Sequence, residues 1–408
     1  MLRYGFVSRA RSLLANAGLT AASLLGGALV IEGAARAWVH ASLAQARRQA
    51  PPLPLSRYHE VLGWDKTPGA AQTVRRPEFE ISLQFNSKGL RGPERDYAKP
   101  PGTRRALILG DSFAEGYYVD ERYTVRAVLE DLLDREGCGR WEVINGGTIA
   151  YSTDQEYLFY KTEGHRYGAE AVVVLFYYND LYYNASAAGP GGEPKPYFEV
   201  DAGALVPRNS PVPAPTKGLL NRQEPGVPAP KPWHGSIALR LLSNRTVDAS
   251  PRLHQLLARV GLVEPISPEP PKEYWPFGRD HAREVNDMWE RTRYILAALK
   301  ADVEGHGGRL AVQYVPVRFE VNDGVWELSR RRYRMGRRWD RDVVFERLRA
   351  VCEQLGISLV DPRAELRRQE ATGAPAYYTR DVHWTASGNA VAAHALEPVV
   401  KSWLPCRG

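Results

Sequence analysis

From Arg104 onward, short apolar runs that end in sharp polar turns are each followed by an amphipathic segment. Ala106–Asp111 reads ALILGD, Trp141–Gly146 reads WEVING and Ala171–Tyr178 reads AVVVLFYY. The third run is apolar throughout, as a strand buried on both faces must be. Residues 121–136 are amphipathic, and Ser152–Gln155 and Thr153–Glu156 both have capping-box spacing, which predicts a helix starting near Asp154. The pattern stops after residue 184 and resumes at about His281. A long helix to about Glu304 is followed by strand RLAVQYVP (309–316), a helix around 340–355, strand ISLVD (357–361) and a last helix over 386–402. Five strands alternating with about five helices predict an α/β fold: a parallel sheet in the middle of three layers, with both halves of the pattern contributing to it.

The interruption is proline-dense. Residues 185–276 hold 17 of the chain's 30 prolines. Proline lacks an N–H and fixes φ, so that density is excluded from helix and sheet interiors. The stretch reads as an insertion that wraps the domain, with one helical piece near 236–261. At the other end, Leu13–Ile31 carries no charged residue. As a helix it would span about 28 Å, close to the ~30 Å hydrocarbon core of a bilayer. Glu32 and Arg36 stand where a small-residue cleavage site would be expected, which favours an uncleaved signal anchor over a cleaved signal peptide or a buried soluble helix. Arg3, Arg9 and Arg11 ahead of the span favour a cytoplasmic N-terminus, with the rest of the chain outside. The expected organisation is an anchor (1–35), a linker (36–56), a β-rich extension (57–103), a first catalytic part (104–184), the insertion (185–280) and a second catalytic part (281–408). Hydrophobic residues at 44% and aromatics at 10% exclude a disordered chain. Three scattered cysteines, none in a CxxC pair, exclude a disulfide scaffold and a zinc ribbon.

Gly110-Asp111-Ser112-Phe113 comes directly after a strand and opens a helical segment. A serine there lies where α/β sheets bind ligands, and its own N–H faces a developing oxyanion. The bland alternative is a helix N-cap. Asp381-Val382-His383-Trp384-Thr385 precedes the last helix, which Thr385 or Ser387 can cap. A serine hydroxyl needs a base, histidine suits neutral pH, and a carboxylate on the other ring nitrogen fixes its tautomer. His59 and His281 also have a carboxylate nearby, but not at a strand end or pre-helix loop of the sheet. Asn179 follows the third strand, where its side chain can donate to an oxyanion; a turn residue is the alternative. Asn145–Ala150 follows the second strand and can supply a further backbone donor.

These four blocks, in this order and setting, resemble the SGNH/GDSL hydrolases over residues 104–184 and about 357–400. Leu62-Gly63-Trp64 and Asn86–Gly92 (NSKGLRG) also resemble membrane-anchored bacterial members. The resemblance implies a flavodoxin-like three-layer fold, with Ser112 as nucleophile, His383 as base and Asp381 as the third triad member. Its implied oxyanion hole is the Ser112 N–H, the Ala150 N–H and the Asn179 side chain. The family's block-two glycine falls at Ala150, which still donates its N–H but meets a penalty at positive φ. The last block is Asp-x-His, the form similar to alginate and exopolysaccharide O-acetyltransferases.

The implied function is a serine esterase acting on an ester, with O-acetyl the expected group, at the bacterial inner membrane with the catalytic domain extracytoplasmic. The alternatives are an O-acyltransferase on an exopolysaccharide or envelope glycan, and a non-catalytic glycan-binding or scaffold protein that retains the fold. No cofactor, metal or nucleic-acid partner is expected. Arg330, Arg331, Arg332, Arg334, Arg337, Arg338 and Arg341 form the densest charge cluster. They read as a solvated face or as a site for anionic lipid or acidic glycan. Cys138 and Cys352 are candidates to pair in an oxidising compartment.

Overall fold

A computed structural model describes residues 2–48, 54–135, 139–215, 236, 238, 250–259 and 270–404. The chain divides into two units, residues 1–52 with 226–267 and residues 53–225 with 268–408. In the first unit, helix α1 (Leu2–Arg48) contains a stretch, Gly18–Ala41, long and apolar enough to cross a membrane. Leu24, Leu29 and Ile31 are exposed on it. Glu32 and Arg36, one turn apart, pair at 2.7 Å, and Ser236 Oγ donates to Glu32 at 2.7 Å.

The second unit begins with two antiparallel hairpins, β1 (Ser56–His59) with β2 (Gly63–Lys66), and β3 (Ala71–Arg76) with β4 (Phe79–Gln84). Val74, Ile81 and Leu83 of β3–β4 form a small buried cluster of their own, whereas the four-residue β1–β2 pair has too little area for one. Leu62, Trp64 and the following Leu90 accordingly pack into the main hydrophobic core. The chain then turns at Asn86–Gly89, where Asn86 Oδ1 accepts the Lys88 N–H and its carbonyl the Gly89 N–H.

The expected sheet follows. Its first three strands are β5 (Thr103–Gly110), β6 (Arg140–Asn145) and β7 (Ala171–Tyr177); the insertion then contributes β8 (Tyr197–Asp201) and β9 (Ala204–Arg208) to a separate hairpin. β10 (Arg309–Val315) and β11 (Ser358–Val360) complete the sheet. All its pairs are parallel, in the order β6-β5-β7-β10-β11. Counted along the sheet's own strands this is 2-1-3-4-5, the flavodoxin-like order, with its switch point between β5 and β7. Every residue of β7 is buried.

The helices are α2 (Ser112–Glu115), α3 (Val125–Asp134), α4 (Thr153–Thr162), α5 (Asp180–Tyr183), α6 (Pro251–Arg259), α7 (Ala282–Gly305), α8 (Arg318–Val321), α9 (Asp323–Arg332), α10 (Val343–Leu355), α11 (Arg363–Glu370) and α12 (Ala386–Trp403). α3 packs against α12 and α4 against α7, covering the two faces of the sheet.

Three local expectations are corrected. The helix expected from residue 121 opens with a 3₁₀ turn at Glu121–Tyr123, and Thr124 caps α3 by accepting the Ala127 N–H. The capping box at α4 does not form. Ser152 Oγ donates to Asp154 Oδ1 at 2.8 Å instead, because Asp154 is buried and paired through Oδ2 with the equally buried Lys195 ammonium at 2.5 Å. The insertion holds a strand pair despite its prolines. In a two-stranded ladder each strand has a free edge, so the N–H missing at Pro207 leaves no gap in a sheet interior. Of the helical piece near 236–261, α6 and the single residues 236, 238 and 250 are described; Cys138 and the rest lie outside the described residues.

Candidate active site

β5 leads into the candidate nucleophile, Ser112. Gly110, with φ +150°, ends the strand; a Cβ there would lie 2.7 Å from the Ala114 Cβ, so only glycine fits this turn. Asp111 caps α2 by accepting the Phe113 N–H at 2.8 Å. Ser112 is therefore not the cap, and its hydroxyl is left for other chemistry. Burial pushes the Asp111 carboxyl up to about 7. Arg91, buried under the turn, donates to the carbonyls of Glu115, Gly116 and Val119 and fixes the far end of α2.

The loop before α12 carries the candidate base, His383. Ser112 Oγ lies 2.7 Å from His383 Nε2, and His383 Nδ1 lies 2.5 Å from Asp381 Oδ1. The same carboxylate oxygen accepts the His383 backbone N–H at 3.0 Å. With Nδ1–H held by the carboxylate, Nε2 is the acceptor that faces serine. Thr385 caps α12. The other two histidines with a nearby carboxylate stay apart from this site: His59 accepts the Val61 and Leu62 N–H groups, and His281 stacks on Trp275.

Two supports of the base carry no local sequence signal. The Tyr118 ring stacks on the His383 imidazole at 3.7 Å with planes 17° apart. Glu78, from the β3–β4 turn, accepts the N–H groups of Thr379 and Arg380 at 2.7 and 2.8 Å. It thus holds the loop that carries Asp381 from a segment about 300 residues away in sequence.

Burial lowers the His383 pKa below its ordinary 6.5, against the opposing pull of the Asp381 carboxylate. Burial raises Asp381, but the side-chain and backbone bonds from His383 and the His383 and Arg76 charges together outweigh it and leave that carboxyl below its ordinary value. A base must be neutral to accept a proton, and a lowered pKa keeps it neutral to lower pH. The acid limb of kcat/KM for ester turnover is therefore expected to have its midpoint below 6.5. A midpoint above 6.5 in the pH–rate profile would contradict this.

The three expected oxyanion donors follow β5, β6 and β7, three adjacent strands of the sheet. Asn179 follows β7, and its amide oxygen is buried without a donor among the described residues. Ala150 has φ +64°, the conformation in which alanine carries a penalty. Gly147 is not at positive φ; it is glycine because a Cβ would lie 2.3 Å from the Glu115 nitrogen, against the nucleophile helix. Ala150→Gly is expected to raise unfolding stability by about 0.5–1 kcal/mol, read as a higher denaturation midpoint. An unchanged or lower midpoint would contradict the strain at this position.

Elsewhere, α9 has no buried residue, and Arg330, Arg338 and Arg341 pair with Glu327, Asp280 and Asp323. Arg331, Arg332, Arg334 and Arg337 are exposed. Cys352 is buried, which pushes its thiol up to about 12. Among the described residues no group of three or more His, Cys, Asp or Glu could hold a metal ion.

Residues 271–404, which include Asp381 and His383, match the family model described as an SGNH hydrolase-like domain, acetyltransferase AlgX. The resemblance to the SGNH/GDSL hydrolases read from the sequence is borne out by this match. No curated protein matches the chain. Solved structures similar to it include the psychrotrophic esterase EstA from Pseudoalteromonas sp., at 10% identity and TM-score 0.38, covering 74% of this chain and 98% of that one. They also include a lipase/acylhydrolase from Enterococcus faecalis, at 10% identity and TM-score 0.38, with 75% and 99% covered. A third is a variant of Axe2, an acetyl-xylooligosaccharide esterase from Geobacillus Stearmophilus, at 12% identity and TM-score 0.37, with 74% and 95% covered.

Proposed function

We propose that this chain is a membrane-anchored SGNH-type serine enzyme that acts on an ester, with acetyl as the acyl group, through an acyl-Ser112 intermediate. Ser112 Oγ attacks the acyl carbonyl carbon while His383 Nε2 takes its proton, and Asp381 supports the imidazolium. The oxyanion rests on the Ser112 N–H, the Ala150 N–H and the Asn179 amide. The bond to the leaving alcohol then breaks, and His383 returns the proton to that alcohol. Water, or a sugar hydroxyl, next attacks the acyl-serine carbonyl as His383 takes its proton; the acyl–Oγ bond breaks and His383 returns the proton to Ser112 Oγ. The observation that carries the reading is the contact chain Ser112–His383–Asp381 at 2.7 and 2.5 Å, at the carboxyl end of the sheet's first strand.

Resolution by water makes an esterase; resolution by a sugar hydroxyl makes an O-acyltransferase for an envelope glycan. The transferase reading is supported by the match of residues 271–404 to an acetyltransferase family model. The Gly18–Ala41 stretch supports an anchor that leaves the catalytic unit outside the cytoplasm. The exposed arginines Arg331, Arg332, Arg334 and Arg337 suit an anionic neighbour, lipid headgroup or acidic glycan. A fluorophosphonate probe tests the serine chemistry: one label per chain, on the peptide that contains Ser112, is expected. A folded protein that takes no label would leave only a binding or scaffold role. Supplying an acetyl donor with and without polysaccharide then separates the two enzymes, since acetate release marks the esterase and acetyl incorporation the transferase.

A further inference from the structure

The segment Gly147–Tyr151, between β6 and α4, has almost all of its backbone N–H groups engaged. Gly147 N–H donates to Asn145 Oδ1 at 3.0 Å, Thr148 N–H to the Gly110 carbonyl at 3.0 Å, Ile149 N–H to Glu115 Oε2 at 2.6 Å and Tyr151 N–H to the Thr148 carbonyl at 3.0 Å. The exception is Ala150, whose N–H has no acceptor among the described residues and whose φ is +64°.

The other side of the segment is held by the β1–β2 hairpin. The Lys66 ammonium is fully buried and donates to the Gly147 carbonyl at 2.7 Å and to Thr148 Oγ1 at 2.5 Å. Trp64, also fully buried, donates Nε1–H to the Ile149 carbonyl at 3.1 Å, and its own carbonyl accepts the Tyr151 hydroxyl at 2.6 Å. Gln155, at the start of α4, donates to the Leu62 carbonyl at 2.7 Å. A buried ammonium is costly unless its hydrogen bonds are made, and both partners named here belong to this one segment. Burial lowers the Lys66 pKa, and the Asp65 and Glu115 carboxylates supply the countercharge that opposes it.

We propose that the β1–β2 hairpin is a positioning element for the oxyanion loop, with Lys66 and Trp64 holding Gly147–Tyr151 so that the Ala150 N–H alone is presented to the oxyanion. The proposal rests on the serine-enzyme reading above. Neither residue touches the reacting atoms. Lys66 holds the Gly147 carbonyl and the Thr148 hydroxyl, and Trp64 the Ile149 carbonyl, while Gly110 and Glu115 hold the Thr148 and Ile149 N–H groups. A donor displaced by even a fraction of an ångström loses its grip on the transition state but not on the ground-state ester, so the effect falls on kcat.

The test uses the full chain in detergent, with Lys66→Met, which keeps length without charge, and Trp64→Phe, which keeps the ring without the N–H. Active sites are counted by the end point of fluorophosphonate labelling. Turnover of p-nitrophenyl acetate is expressed per labelled site. Lys66→Met is expected to lower kcat by about 10–100-fold, and Trp64→Phe by roughly 2–10-fold, with KM within twofold of wild type. A mere stability role would lower the number of labelled sites and leave kcat per site unchanged. A kcat loss at unchanged KM in either folded variant supports the proposal. Wild-type kcat per site in both, or a change in KM alone, overturns it. If Lys66→Met does not fold, Trp64→Phe decides by itself. A wild-type protein that takes no label overturns the serine reading, and this inference with it.

Discussion

Ser112→Ala is expected to abolish fluorophosphonate labelling and to lower kcat on an acetate ester by on the order of 10⁵–10⁶-fold, with the fold intact. The hydroxyl is the only group of Ser112 that alanine lacks. Asp111, not Ser112, caps α2, so helix stability is untouched. Asp381→Asn is expected to cost less, on the order of 10⁴-fold, because the amide keeps the shape but favours the wrong imidazole tautomer. The ordering is the content of the prediction. A nucleophile cannot be replaced, whereas the residue that orients its base can be partly compensated by the Tyr118 stack and the backbone bonds around His383. Steady-state kinetics on the two variants, with circular dichroism to check folding, reads this out. Equal turnover in Ser112→Ala and wild type would remove Ser112 from the mechanism.

Gly147→Ala is expected to be strongly damaging for the addition of a single methyl group. The added Cβ would lie 2.3 Å from the Glu115 nitrogen and 2.6 Å from the Ala114 carbonyl carbon. Both are backbone atoms of the nucleophile helix and cannot rotate aside. A loss of about 2–4 kcal/mol is expected, from overpacking and the displaced loop. Gly307→Ala is the control. Gly307 has φ +82° but nothing within 4 Å of its added Cβ, so only the backbone penalty of about 1 kcal/mol applies. Denaturant midpoints of the two proteins separate close packing from conformational strain. A Gly147→Ala protein no weaker than Gly307→Ala would show that the loop is not seated against α2.

Much of the fold was legible because its signals are local. Each sheet strand is a short apolar run, and β7 reads as buried on both faces before any partner is known. The Gly-Asp-Ser turn, the Asp-x-His loop and Asn179 could be picked out because each follows a strand or precedes a helix. What misled was also local. Ser152 and Thr153 have capping-box spacing, but Asp154 is claimed by a lysine 41 residues away. The insertion's proline count hid a hairpin whose free edge tolerates Pro207. The supports of the site left no pattern to find. Glu78 reaches the 379–380 backbone from about 300 residues earlier, and Lys66 reaches the 147–148 loop from about 80. Nothing in the neighbours of a glutamate or a lysine announces such a partner.

The sequence by itself determined the strand–helix alternation, the apolar N-terminal stretch and the identity of the residues able to do acyl chemistry, because period, composition and side-chain type are properties of short segments. The tertiary structure decided the 2-1-3-4-5 strand order, which brings the ends of β5 and β7 side by side at the switch point. It also decided the closing of a 271-residue separation into a 2.7 Å contact between Ser112 and His383. It joined the β1–β2 hairpin to the 147–151 loop through Lys66 and Trp64, and set that loop against α2. Those are long-range pairings, set by which apolar faces cover the sheet and which buried charges find partners, and no local window of the chain contains them.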